Sequence, residues 1–127
     1  MDSIIKAIND AVPADGQWSA FTESFAEAAM TKILMDTIGD KVTIVEAHVG
    51  DEDDTRYDLD FENDEFSGNF RTVQWGEEQH FELFVQVKHG YGYAVGPDEG
   101  IQKVSEIPAL FERLCEEARK DEEGYKK

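Results

Sequence analysis

Apolar residues along this chain recur first at three- and four-residue steps, then at every second position, and finally at helical spacing again. Ile4, Ile5, Ile8 and Val12 keep to one side of a short helix that Ser3 can cap and Pro13 ends. After the turn "PADGQ", Trp18, Phe21, Phe25, Ala29 and Ile33, flanked by Met30, Leu34 and Ile38, predict a second helix running to Gly39. Aromatic and methionine residues at such spacing read as core packing rather than a cofactor pocket.

Beyond Gly39 the period changes to two. "KVTIVEAHV" predicts a strand with Thr43, Val45, Ala47 and Val49 on one face and Val42, Ile44, Glu46 and His48 on the other. In "RYDLDFENDEFSGNF", Tyr57, Leu59 and Phe61 alternate with Asp58, Asp60 and Glu62. A two-residue turn at Asn63-Asp64 would set Phe61 opposite Phe66, Leu59 opposite Gly68 and Tyr57 opposite Phe70. A second turn at Glu77-Glu78 would set Phe70 opposite Val85 and Thr72 opposite Leu83, keeping one apolar face. The other face then carries Val73, Trp75 and Phe84. His89-Gly90 should turn the chain into a short strand that adds Tyr93 and Val95 to the same outer side.

"GPDEG" reads as a loop. Ser105 is placed to cap a last helix, with Pro108 in its first turn and an apolar stripe of Ile107, Leu110, Phe111, Leu114 and Ala118. The expectation is an α+β fold: two N-terminal helices, a four- to five-stranded antiparallel meander and a C-terminal helix, with the helices on one face of the sheet. Residues 1–120 form one domain in this reading, and 121–127 a frayed tail.

The composition supports a packed core, because 40% apolar and 11% aromatic residues in 127 are too many for a disordered chain. No apolar run approaches the roughly 20 residues that cross a bilayer, and "MDSIIKAIND" lacks the pattern of a leader, so a cytoplasmic location is expected. The lone Cys115 can form neither an internal disulfide nor a cysteine-based zinc site, and its place beside the last apolar stripe predicts a buried thiol.

A formal charge of −17 argues against direct contact with nucleic acid or an anionic membrane, which need cationic side chains to neutralise phosphate. The expected partner is a basic protein, itself of the nucleic-acid-binding kind. The charge is also clustered: residues 51–65 hold nine acids and one base. Uniform adaptation to a high-salt habitat would spread it more evenly. The candidate contact residues are therefore Asp51, Glu52, Asp53, Asp54, Asp58, Asp60, Glu62, Asp64 and Glu65, joined by Trp75 and Phe84, since aromatics ringed by charge are the usual composition of a binding hot spot.

Other chemistries are less well served. Asp51, Asp53, Thr55 and Glu62 have the spacing of a calcium loop, but Arg56 stands where a sharp turn needs glycine. His48, His80 and His89 fall in no recognised metal-binding spacing, and Gly90, Gly92, Gly96 and Gly100 are too irregular to cradle a phosphate. No catalytic set, metal ligand or cofactor is therefore assigned. Asp58, Asp60 and Glu62 would form a solvated row about 6.6 Å apart, able to present to a basic groove what a nucleic-acid backbone presents.

Short acidic domains of this composition are similar to nucleic-acid mimics, including phage proteins that block restriction or CRISPR effectors, although the likeness covers no motif. The first expectation is such a non-enzymatic inhibitor. The alternatives are an immunity protein or chaperone-like module that neutralises a basic toxin or effector, and a small enzyme or ligand-binding domain. A homodimer is compatible with each.

Overall fold

The computed structural model describes residues 2–13, 15–50, 56–75 and 78–125, and for residues 74, 75, 78 and 79 the backbone alone. Helices α1 (Ser3–Ala11) and α2 (Ala20–Ile38) precede strands β1 (Thr43–Val49), β2 (Tyr57–Glu62), β3 (Phe66–Trp75), β4 (Glu78–Val87) and β5 (Tyr93–Ile101). A 3-10 turn, Val104–Glu106, leads into α3 (Ile107–Tyr125). The strands form one antiparallel sheet in the order β1-β2-β3-β4-β5. This is the α+β meander that the change of period predicts.

One face of the sheet is dry. Leu59, Phe61, Phe70, Phe81, Leu83 and Val85 project from it into a core completed by Ile5 and Ile8 of α1, Met30 and Leu34 of α2, and Ile107, Phe111 and Leu114 of α3. Each such side chain, fully buried, contributes on the order of 1.5–3 kcal/mol of transfer free energy. Edge-to-face pairs, Phe70 with Phe81 at 5.0 Å and Phe61 with Phe111 at 6.1 Å, fix the rings. Gly68 lies under Phe61, where a Cβ would come within 2.3 Å of the ring.

Several local expectations are corrected. Asp2, not Ser3, is the N-cap of α1; its backbone N–H reaches the Gln102 carbonyl at 2.9 Å and its carboxylate accepts from the Val104 N–H at 2.7 Å. Asn9 of α1, fully buried, donates to the His80 carbonyl of β4 at 3.4 Å. In α2 the buried arc is Ala26, Met30, Ile33, Leu34 and Ile38. Phe21 is 78% exposed. At 3.6 residues per turn it lies nearly opposite the centre of that arc. Ser19 caps α2 through a capping box with Thr22, whose backbone N–H donates to Ser19 Oγ at 3.1 Å.

The two hairpin registers keep the predicted faces but shift by two residues. Leu59 pairs with Phe70 and Phe61 with Gly68; Phe70 pairs with Leu83 and Thr72 with Phe81. Asn63 sets the first shift. Its side-chain oxygen accepts from the backbone N–H groups of Glu65 at 2.9 Å and Phe66 at 2.7 Å, which makes it the opening residue of the turn and leaves Asp64 and Glu65 at the tip.

Strand β1 carries a bulge between Ile44 and Glu46, so its two predicted faces do not run through the strand. Val42, Ile44, Ala47 and Val49 turn to the core side, while Val45 is 60% exposed. "GPDEG" is not a free loop but part of β5, inserted between Gly96 opposite Leu83 and Ile101 opposite Phe81. There Gly100 (φ 80°) passes so close to the His80 ring that a Cβ would stand 2.1 Å from it.

Ser105 lies inside the 3-10 turn rather than capping α3. The helix continues through residues 121–125, where composition suggested fraying, and the side chains of Asp121 and Glu122 accept from the backbone N–H groups of Tyr93 at 3.2 Å and Tyr91 at 2.7 Å. Among the described residues no helix is long and apolar enough to cross a membrane.

Candidate functional site on the open face of the sheet

The described helices all pack on the dry side, α2 over β1 and β2, α1 over β3 and β4, and α3 over β4 and β5. The described residues leave the opposite face open. Strand pairing arranges its side chains in ranks: His48, Asp58, Arg71 and Glu82 in one; Glu46, Asp60, Asn69, Phe84 and Val95 in the next; Glu62, Ser67, Gln86 and Tyr93 in a third.

Asp58, Asp60 and Glu62 do lie on this face, but they are not a uniformly solvated row. Asp58 is only 1% exposed, and one of its oxygens accepts from Arg56 Nε at 3.0 Å. Asp60 meets His48 Nε2 at 3.0 Å through one oxygen and Asn69 Nδ2 at 2.8 Å through the other. Glu62 is 3.3 Å from Lys88 Nζ. Arg71 and Glu82 pair across β3 and β4, with Nε donating at 2.8 Å. Local cations and amides thus lessen the repulsion expected of a bare acidic row, although Glu46 and Asp60 still face each other across β1 and β2.

Partial burial works against a charged His48 ring. The hydrogen bonds to the Val49 carbonyl and the Asp60 carboxylate, together with the charges of Asp60 and Asp58, outweigh it and raise the pKa above the ordinary histidine value.

The remaining predicted contact residues are scattered. Asp51, Glu52, Asp53 and Asp54 lie outside the described residues, as does the Trp75 side chain, although the Trp75 backbone ends β3. The second half of the calcium-like spacing is strand β2 rather than loop. Asp64 and Glu65 are exposed at the β2–β3 turn. Glu65 takes a two-pronged bond from Arg119 of α3, at 2.5 and 2.7 Å, which lowers its pKa and ties the turn to the helical layer.

Phe84 is half-buried at the centre of the open face, its ring 5.7 Å from that of Tyr93, which is 52% exposed. Beside it a shallow depression of about 300 Å³ is lined by Val45, Asp60, Gly68, Asn69 and Phe84. Arg71 belongs to this face, as the strand pattern suggested, and so do Glu46, His48 and Asn69, which the sequence pattern did not place there. The bulge at β1 is what turns Glu46 and His48 outward, and no residue in "KVTIVEAHV" announces it. Among the described residues, Glu46, His48 and Asp60 bring potential metal-ligand atoms within 4.8 Å of one another.

The fold and the face together define an acidic α+β domain with one helical layer and one open sheet surface. Comparison with protein-family models, with curated proteins and with solved structures finds no match.

Proposed function

We propose that this chain is a non-enzymatic inhibitor that meets a basic, nucleic-acid-binding protein through the open face of its sheet. The observation that carries the reading is the composition of that face: an apolar group of Phe84, Tyr93 and Val95 on β4 and β5 with Glu46, Asp60 and Glu62 to one side of it on β1 and β2, on a domain of charge −17. Apolar anchors give binding energy, and the acidic rim steers a basic partner and suppresses others. Steering of this kind makes association fast and salt-sensitive.

Mimicry of a nucleic-acid backbone is the narrower form of the proposal. Asp58 is buried and Glu65 is held by Arg119, so the mimic would present Glu46, Asp60 and Glu62 with the Asp51–Asp54 segment. The Phe84–Tyr93 pair favours a second reading, an immunity protein or chaperone-like module that seats an aromatic anchor in its target.

Affinity capture from the natural host at low and then high salt, followed by mass spectrometry, identifies the partner, and calorimetry of variants separates the readings. Phe84→Ala is expected to cost about 2 kcal/mol or more, roughly thirtyfold in affinity, under both. Asp60→Asn with Glu62→Gln should weaken binding strongly only for the mimic. A partner that binds both variants as tightly as the parent overturns the use of this face.

A further inference from the structure

The contact between His48 and Asp60 raises a problem of proton placement. His48 Nδ1 lies 3.0 Å from the Val49 carbonyl oxygen and Nε2 faces the Asp60 carboxylate; both oxygens only accept, so a single ring proton serves one of them, Val49 in the Nδ1–H tautomer. In that tautomer Nε2 is a lone pair, and it faces Asp60 Oδ2, a second lone pair, at 3.0 Å. Two acceptors at this distance require a positive centre between them. A proton on the imidazole supplies one; a bound cation supplies another.

The surroundings favour a cation with more than one charge. Asp58, the strand partner of His48, is 1% exposed, and its Oδ1 has no hydrogen-bond partner. Glu46 extends from the same face, paired in register with Asp60, and its carboxylate lies within 4.8 Å of the other two ligand atoms, a gap that an exposed, rotatable side chain can close. Two carboxylates thus stand close to one imidazole, and a third, that of Asp58, is its strand partner and is bonded to Arg56. Both inner ligands are held from behind, His48 by Val49 and Asp60 by Asn69, as metal-ligating histidines and carboxylates are.

We propose that Glu46, His48 and Asp60 form a binding site for a divalent transition cation of the zinc type. Imidazole nitrogen and carboxylate oxygen bind Zn2+ at about 2.0–2.2 Å, which sets two ligand atoms of a tetrahedral site about 3.3 Å apart. The observed 3.0 Å needs little adjustment. One nitrogen and few oxygens suit Zn2+ or Co2+, whereas Ca2+ and Mg2+ prefer a fuller set of oxygen ligands. The fourth position opens to solvent on the face described above. This inference stands independently of the proposed partner.

The test uses the full chain, freed of metal by chelation and dialysis. Calorimetric titration with Zn2+ in the presence of excess Mg2+ measures affinity, and the visible absorption of added Co2+ reports the ligand set. One saturable equivalent is expected. Glu46→Gln, His48→Gln and Asp60→Asn should each weaken it at least about tenfold, and Asn69→Ala by a similar factor through loss of the group that orients Asp60. Asp36→Asn, an exposed acid of α2, should change nothing. Circular dichroism establishes that each variant is folded; Glu46→Gln, at an exposed position, keeps the test open if the others are not. Absence of a saturable equivalent, or equal affinity in the parent and in the folded Glu46, His48 and Asp60 variants, means an adventitious ion only and overturns the site.

Discussion

Val45 decides which side chains of β1 reach solvent. Without the extra residue, Glu46 would follow Ile44 onto the apolar side opposite Leu59, and two ionisable groups would be driven into the core at several kcal/mol each. The bulge turns them to the open face. Cys115 illustrates the opposite placement. It is 5% exposed on α3, and burial pushes its thiol up to about 12, so almost no thiolate exists at neutral pH. Native protein at about pH 8 should therefore react with a thiol reagent far more slowly than protein unfolded in urea, where the thiol returns to its ordinary value of about 8.5. Absorbance of the released chromophore measures both rates, and equal rates would mean that the packing around α3 opens readily.

At the scale of the elements, the type and order of helices and strands were legible, and so was the buried face of β2, β3 and β4. Registers were not. A shift of two residues leaves the apolar pattern of "YDLDF" against "FSGNF" intact, so periodicity cannot distinguish the alternatives. The choice falls to the Asn63 side chain, which bonds the two following N–H groups. The same turn presents Glu65 to Arg119, a contact between residues 54 apart that no local pattern contains.

Its consequence is a pH-dependent tie between sheet and helix. The folded-state pKa of Glu65 is lowered, chiefly by the Arg119 hydrogen bond. The stabilisation is therefore present above the carboxylate's unfolded value of about 4.3 and is lost as pH falls through the lower, folded value. Urea unfolding of the parent and Glu65→Gln should show a difference at neutral pH that closes on acidification. Half-exposure of both partners keeps the difference small. A gap that stays constant down to strongly acid pH would assign it to something other than the ion pair.

For the whole molecule, the charge map read from sequence located the acids but not their partners. Lys88, Arg119 and Arg71 come from the end of β4, from α3 and from β3, and only the fold brings them to Glu62, Glu65 and Glu82, whereas Arg56 stands two residues from its partner Asp58. The sheet is thereby relieved of much of its own repulsion. The helices keep theirs, with exposed acids such as Glu23, Glu116 and Glu123. Raising salt from about 0.01 M to about 0.15 M shortens the screening length from roughly 30 Å to roughly 8 Å. The melting temperature should rise, because repulsion acts over longer distances than the close pairs and is screened first. Differential scanning calorimetry checks this, and a fall in melting temperature would show that the pairs outweigh the repulsion.

The docking of α1 has a consequence for the order in which the molecule can be assembled. Every strand of the meander pairs with the one made just before it, so the sheet can grow as the chain leaves the ribosome. Helix α1 is synthesised earlier than any strand, yet its bonds are to His80, Gln102 and Val104. Those bonds of α1 must therefore wait until β4 and the stretch after β5 have been made, and α2 alone is available to cover its apolar side, with Ile5 and Ile8, before the sheet forms.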